Sequence, residues 1–180
     1  TASRVKKVVN HPAIAIDDVG RWFTLLLTRE GIAAHALAFL ALNASRSQEI
    51  RKAKWDEISF DGAFWQIPAE HMKAKSAHRV PLSKAALELL SATPRFKDSS
   101  LIFPSPRMGE MSDATLSAVM KRMHRAEVDE GRVGFLDQVS KRPAVPHGLR
   151  STFRDWVAER TDHPREMAEI ALAHEMGSEV

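Results

Sequence analysis

At 180 residues the chain is long enough to bury a core of its own and fits one domain of ordinary size. Apolar residues make up 44% and charged residues 27%, as in globular proteins, and no apolar run approaches the roughly 20 residues of a membrane span. The absence of cysteine excludes disulfides and thiolate metal sites and fits a reducing cytoplasm, while the net charge of +3 permits nucleic-acid binding without predicting it.

The first third of the chain has the spacing of helices. Residues 1–12 are basic and lack a clear period, so they are predicted to be a linker or a ragged start ahead of a single domain at 13–180. Asp17 and Asp18 are predicted to cap a helix that Gly31 ends. The apolar periods predict helices over about 18–29, 32–42 and 45–54.

Short strands and further helices are predicted in the rest of the chain. Asp61-Gly62 separates two short strand-like runs, which is a hairpin signal. The predicted strands are Glu57–Ser59, Phe64–Ile67 and Arg79–Leu82. The predicted helices are Ser83–Ser91, Asp113–Val128, His147–Arg160 and Pro164–Ala173, with a loop over 129–146. The fold class is therefore mainly α with a small three-stranded antiparallel sheet (α+β).

One basic residue is placed at the start of the third predicted helix. The segment Asn43-Ala44-Ser45-Arg46-Ser47-Gln48-Glu49-Ile50 puts a guanidinium there, and arginine binds phosphate with two parallel hydrogen bonds. Glu49 lies three residues on and can reach back to hold the turn. Taken alone, Arg46 could equally be a surface arginine beside a capping box.

Three further positions carry proton-transfer or anion-binding groups. Lys73 lies in the predicted turn before the third strand, where a lysine can swing onto a phosphate and protonate a leaving oxygen, although most loop lysines are simply solvated. His147 and Arg150 are three residues apart and share a predicted helix face. His174 follows the last apolar helix, where histidine is also a common stabilising choice.

Other readings of the same residues are weaker. His71, His78 and His147 lack metal-ligand spacing, and there is no glycine-rich phosphate loop. A basic run on one predicted helix is typical of a solvated face but is compatible with DNA; it comprises Lys121, Arg122, His124 and Arg125. Tyrosine is absent from all 180 residues.

The order Arg, Lys, His-x-x-Arg, His resembles the tyrosine recombinase, or phage integrase, family, and above all its prophage-type bacterial members. The resemblance covers nearly the whole chain. It is carried by Asn10-His11-Pro12-Ala13, by Ala44 to Ile50 continuing into Lys54-Trp55-Asp56-Glu57-Ile58, by His71-Met72-Lys73, by Arg79-Val80-Pro81-Leu82-Ser83, by His147-Gly148-Leu149-Arg150-Ser151-Thr152-Phe153 and by Ala171-Leu172-Ala173-His174.

The resemblance implies a tyrosine-recombinase catalytic-domain fold and a site for cutting and rejoining DNA. Arg46 and Arg150 would clamp the scissile phosphate, and Glu49 would support Arg46. Lys73 would protonate the leaving 5′ oxygen. His147 would be the general acid/base, and His174 would hydrogen-bond the phosphate. The implied partner is double-stranded DNA, bound by a tetramer of the full-length protein in the cytoplasm, without a membrane, a metal or any other cofactor.

The sequence departs from the family pattern at its end. The family's nucleophilic tyrosine follows the last histidine on one further helix, whereas here Val180 is the final residue and no tyrosine occurs anywhere. The chain is therefore predicted to be a piece of a longer integrase that is unable to cleave by itself. A DNA-binding module, a decayed integrase remnant, a type IB topoisomerase and a structural helical domain are the alternatives.

Overall fold

The computed structural model describes residues 11–72 and 75–173. The helices are α1 (Ile16–Leu27), α2 (Ile32–Asn43), α3 (Ser47–Lys52), α4 (Lys84–Ala92), α5 (Asp113–Asp129), α6 (Gly148–Arg160) and α7 (Arg165–Ala171). The strands are β1 (Ile58–Ser59), β2 (Phe64–Ile67) and β3 (His78–Pro81), paired antiparallel in the order β1-β2-β3. The predicted fold class, mainly α with a small three-stranded antiparallel sheet, is confirmed.

Helix α2 is the centre of the core. It is apolar on every side, which is typical of a helix surrounded by protein, and it packs against α1, α3, α4 and α5. Its side chains of Leu37, Phe39 and Leu40 are fully buried. Because α2 is held from all sides, the turn that follows it has a fixed position.

Helix α1 differs from the prediction at both ends. Asp17 and Asp18 do not cap it; the helix begins at Ile16, and both carboxylates lie in its first turn, where they face the positive end of the helix dipole. The helix ends at Leu27, and both the backbone amide and the hydroxyl of Thr28 donate to the carbonyl of Leu25. Gly31 does not end α1 but starts α2, with a φ of 98° that favours glycine.

The sheet packs one face on α2. Trp65 and Ile67 of β2 are fully buried, and the ring of Trp65 lies 5.5 Å from that of Phe39. Strand β3 begins at His78, one residue before the predicted strand, and ends at Pro81. In the Asp61-Gly62 turn the positive φ belongs to Ala63, at 50°, because the loop has four residues rather than the two that a tight hairpin would use.

Helix α6 starts where two parts of the backbone touch. A side chain at Gly148 would overlap the carbonyl of Pro12, which also accepts a hydrogen bond from the Val145 amide at 3.1 Å. Glycine is therefore needed at 148 for a close approach of the entering chain. Pro12, which was predicted to be linker, thus packs against the domain; residues 1–10 lie outside the described part of the chain.

Candidate active site

Arg46 is placed by the end of α2 and the start of α3. Ala44 adopts a left-handed φ of 48° after α2, and the chain then turns so that Arg46 stands directly before α3. The carboxylate of Glu49, which is 4% exposed, accepts from the Arg46 backbone amide at 2.9 Å and from its guanidinium at 2.8 Å. One buried carboxylate therefore fixes both the backbone and the side chain of this arginine.

Arg150 reaches the same place from α6. Its side chain is buried, with the residue 5% exposed, and its two terminal nitrogens donate to the carbonyls of Ala44 and Leu172, each at 2.6 Å. Ala44 is the residue whose left-handed turn precedes Arg46 by two positions. The buried guanidinium thus joins the end of α2 to the end of α7.

The two arginines meet on one short segment. The guanidinium of Arg46 donates to the carbonyl of Ala173 at 3.4 Å, next to the Leu172 carbonyl that Arg150 binds. The pKa of Arg150 is lowered to about 10, first because burial disfavours the charged form and then because Arg46 is a nearby cation; Glu49 and Glu169 oppose the shift. The Arg150 guanidinium therefore remains charged at neutral pH.

His147 stands at the entrance to α6. It precedes Gly148 as the cap residue, is exposed, and shares a cleft of about 400 Å³ with Arg46. The imidazole of His11 lies against it, with 4.3 Å between ring centroids. The cleft is also lined by Ser47, Gln48 and Asp113. The structure therefore places His147 and Arg46 in one cleft, and Arg46 and Arg150 on neighbouring carbonyls of the Leu172-Ala173 segment.

Two of the predicted site residues, Lys73 and His174, lie outside the described residues. The described chain leads up to both of them. Met72 is buried directly before Lys73, and Ala173, whose carbonyl Arg46 binds, directly precedes His174. Their contributions stay predictions.

His78, which the sequence pattern excluded as a metal ligand and did not otherwise mark, is a neighbour of the two arginines. Burial lowers the pKa of this imidazole, with the positive charges of Arg46 and Arg150 acting in the same direction; the Glu49 carboxylate and a hydrogen bond to the Ala171 carbonyl oppose the shift. These groups are the ones that surround the two arginines. The signal was available in the alternation of β3, because His78 is two residues from the buried Val80 and so shares its side of the strand.

The basic run on α5 has two kinds of members. Lys121, Arg122 and Arg125 are exposed, whereas the Nδ1 atom of His124 accepts from the Phe135 amide at 3.0 Å and so stabilises the loop after the helix. Within residues 11–72 and 75–173, no cluster of three or more histidine, aspartate or glutamate side chains could hold a metal ion. Across the same residues, no helix is long and apolar enough to cross a membrane.

Solved structures with a similar fold are tyrosine recombinases. A λ integrase tetramer bound to a Holliday junction superimposes with a TM-score of 0.67, at 21% identity, over 99% of this chain and 51% of that one. The XerA recombinase superimposes with a TM-score of 0.64, at 14% identity, over 96% of this chain and 58% of that one. At these identities the likeness establishes the fold, which is that of the tyrosine-recombinase catalytic domain.

Sequence comparison narrows this class further. Residues 28–180 match the phage integrase family, and the chain belongs to that family. It is 31% identical to the prophage integrase IntZ of Escherichia coli K12 over 176 residues, which are 97% of this chain and 40% of that protein. It is 33% identical to the integrase of Enterobacteria phage P4 over 113 residues, which are 54% of this chain and 25% of that protein. The predicted membership of the tyrosine recombinases, with prophage integrases as relatives, is confirmed.

The chain spans well under half the length of these relatives. The family and the fold are properties of this chain. What the whole proteins bind, cut and assemble into is not a property that a matching part carries by itself.

Proposed function

We propose that this chain is the catalytic domain of a site-specific DNA recombinase that cuts and rejoins DNA strands through a 3′-phosphotyrosyl intermediate, in the integration or excision of a mobile element. The observation that supports it best is the meeting of Arg46 and Arg150 on the segment that leads to His174. Arg46 is ion-paired with Glu49, and the buried guanidinium of Arg150 lies close enough to Arg46 for the two charges to interact, so two arginines that can bind a phosphodiester lie together.

The two arginines are proposed to bind the non-bridging oxygens of the scissile phosphate. As the phosphorus becomes five-coordinate, negative charge builds on those oxygens, and fixed guanidinium groups stabilise it without reorganising. Glu49 holds Arg46 in place, since it binds both its backbone amide and its guanidinium. The arginines supply positive charge at the reacting phosphate, and the proposed reaction therefore uses no metal or other cofactor.

The remaining residues are proposed to move protons. A phenolic oxygen attacks phosphorus and its proton passes to His147, while the bond to the 5′ oxygen breaks and Lys73 protonates that leaving oxygen. His174 donates a hydrogen bond to the phosphate. Rejoining reverses these steps with a 5′ hydroxyl as the attacking group, so the phosphodiester bond energy is kept in the covalent link.

The proposed partner is double-stranded DNA in the cytoplasm, with the full-length protein acting as a tetramer. One solved relative of this fold is a λ integrase tetramer on a Holliday junction, and another is a λ integrase dimer on a core site. The exposed cations of α5 give this chain further groups for backbone phosphates.

This chain by itself is proposed to be unable to cleave, because none of its 180 residues is tyrosine. The test is incubation with a DNA substrate carrying a nick near the cleavage site, which traps the covalent species, followed by a denaturing gel. The chain should leave no protein–DNA adduct. A form extended at its C-terminus through the family's tyrosine should leave one, and that form with the tyrosine changed to phenylalanine should not.

Each other outcome has a definite meaning. An adduct formed by the 180-residue chain would contradict the assignment of the nucleophile. An extended form that binds DNA but never forms an adduct would replace the recombinase with a DNA-binding module or a decayed remnant.

A further inference from the structure

Two histidine rings meet in the cleft that Arg46 lines. The imidazole of His11 lies against that of His147, with 4.3 Å between the ring centroids and 54° between the ring planes. Both residues are exposed, and both line the cleft of about 400 Å³. His147 comes from the start of α6, whereas His11 belongs to the segment that enters the domain ahead of α1. The reaction steps proposed above use His147 and leave His11 without a role.

The backbone directly after His11 is bound to the part of the chain that carries His147. Each of the residues 12–14 makes a hydrogen bond to α6 or to the loop before it: the Pro12 carbonyl accepts from the Val145 amide at 3.1 Å, the Ala13 amide donates to the Asp137 carboxylate at 3.1 Å, and the Ile14 carbonyl accepts from the Thr152 hydroxyl at 2.7 Å. These three bonds fix the segment relative to α6 without any help from the His11 ring. The ring of His11 is therefore held at the start of that helix.

We propose that His11 is a positioning residue for the recombinase reaction: its ring packs on the imidazole of His147 and restricts the orientations that this imidazole adopts in the open cleft. The inference rests on the proposed function, in which His147 takes the proton of the attacking phenol. It assigns His11 no contact with the phosphate and no proton transfer. The contribution of His11 is to keep the general acid/base in one orientation before DNA arrives.

The setting of His147 explains why such a contact matters. Its backbone is already helical, with φ of −63° and ψ of −30°, and its carbonyl accepts from the Arg150 amide at 3.2 Å. Its imidazole, in contrast, is exposed and lies in a cleft that is open to solvent. Proton transfer requires the imidazole within hydrogen-bond reach of the proton, so a ring that turns away cannot react. A neighbouring ring that favours one orientation therefore raises the fraction of His147 that is ready to react.

The size of the expected effect separates positioning from chemistry. Ring pairs prefer tilted or offset arrangements, and a contact of this kind changes the equilibrium between two orientations by about 3- to 10-fold. The His11–His147 pair is tilted and close, so we assign it an effect of that size. Loss of a group that itself transfers a proton costs about 100-fold or more. The two roles for His11 therefore predict different rates when its ring is removed.

The experiment compares substitutions at position 11 in the extended form that carries the tyrosine. The rate of adduct formation at saturating DNA and the DNA affinity are measured separately. His11→Ala removes the ring, and His11→Phe keeps a planar ring that has no proton to transfer. His163→Ala is the matched control, because this histidine is also exposed but lies between α6 and α7 and does not line the cleft.

We expect His11→Ala to lower the rate of adduct formation at saturating DNA about 3- to 10-fold, with DNA affinity within about twofold. His11→Phe should recover most of the rate, since the ring contact is kept, and His163→Ala should have the unsubstituted rate. Unfolding in urea should be the same for His11→Ala as for the unsubstituted protein, because backbone hydrogen bonds hold residues 12–14. Recovery by phenylalanine, which cannot act as an acid or base, separates positioning from proton transfer.

A folded His11→Ala protein that cleaves at the unsubstituted rate would overturn the proposal, and so would a loss confined to DNA affinity. Equal loss in the alanine and phenylalanine variants would also overturn it, since that would require the imidazole itself.

If the unsubstituted extended form makes no adduct, the proposed function fails instead, and NMR of the 180-residue chain with labelled histidine decides the role of His11. Side-chain torsions of His147 that are averaged in His11→Ala but not in His11→Phe would support the positioning contact. Torsions of His147 that are the same in the unsubstituted chain and in His11→Ala would overturn it.

Discussion

Two buried charged clusters of this domain are built in opposite ways. On one side of the core the carboxylate of Glu127, 3% exposed, pairs with Arg21 from α1 and with Arg132 from the loop after α5. In the other, Arg46 pairs with Glu49 and also donates to the carbonyl of Ala173, while Arg150 donates to the carbonyls of Ala44 and Leu172. The first cluster satisfies a buried anion with two cations, and the second brings two cations together.

The pKa values follow this difference. Hydrogen bonds from Arg132, with those from Arg21, lower the pKa of Glu127 to about 2 against the opposing effect of burial, so the cluster favours its charged form. Burial and the Arg46 charge lower the pKa of Arg150 to about 10, which means that the surroundings of Arg150 disfavour its charged form. A cluster that favours its own charges supports the fold, whereas one that disfavours a charge is suited to an added counter-ion, which under the proposed function is a phosphate.

The largest expected effect of breaking the second cluster is on chemistry. Arg150→Ala in the extended form should lower adduct formation about 100-fold or more, because a fixed donor to the developing phosphate charge is lost. Arg150→Lys keeps the positive charge without the paired donors, so its rate of adduct formation should lie between those of the unsubstituted protein and Arg150→Ala. An Arg150→Ala protein that is folded and cleaves within threefold of the unsubstituted rate would contradict this role.

Breaking the first cluster should act on stability instead. Glu127→Gln should lower the free energy of unfolding by about 1–3 kcal/mol, since two arginines lose a buried ionic acceptor. Urea unfolding measures it, and DNA affinity at fixed salt should not change. Glu130→Gln is the matched control: this carboxylate also pairs with Arg132 but is 62% exposed, so its loss should be within about 1 kcal/mol of zero.

The Glu127 carboxylate also makes the stability of the domain depend on pH. Its folded-state pKa of about 2 lies below the ordinary value of 4.5, so its stabilisation is fully present above that ordinary value and is lost as the pH falls towards 2. The difference in unfolding free energy between the unsubstituted chain and Glu127→Gln should therefore shrink over that acidic window. A difference that stays constant down to pH 2 would mean that the carboxylate is not what the arginines hold.

The smallest expected effect is on the salt dependence of DNA binding. Lys121→Ala and Arg125→Ala, on the exposed side of α5, should each reduce the slope of log affinity against log salt by about 1 if each contacts one phosphate. Lys84→Ala, on α4 beside Glu88, is the comparison variant and should leave the slope unchanged. If neither α5 substitution changes the slope, α5 is not part of the DNA interface.

Most of the fold could be predicted from periodicity, and the errors are local. β2 was predicted with its exact bounds, and α2 within one residue, because the alternation and the long apolar run have no competing pattern. The ends of α1 were wrong because Asp17 and Asp18 are as favourable in a first turn as at a cap. A glycine at position 31 is compatible with either the end of α1 or the start of α2, and only the tertiary position of α2 decides between these two roles.

The candidate site was inferred from the order of its motifs and not from the contacts that the individual residues make. The sequence indicates that Arg46 and Arg150 belong together, but no local pattern gives the carbonyls of Leu172 and Ala173 as their partners. His78 was missed because the predicted strand began one residue later, which removed it from the side that Val80 faces. The Glu127 cluster joins residues 106 positions apart, a distance over which no sequence spacing is informative.

The contact between Pro12 and Gly148 has a consequence for how this domain can vary. Position 148 has no room for a side chain while the entering backbone lies against it. A mutational library of this helix start should therefore keep glycine at 148, and substitutions there should be rescued only by changes that move the backbone at 12. The backbone at Pro12 and the start of the helix that carries Arg150 therefore constrain each other, and neither can change without the other.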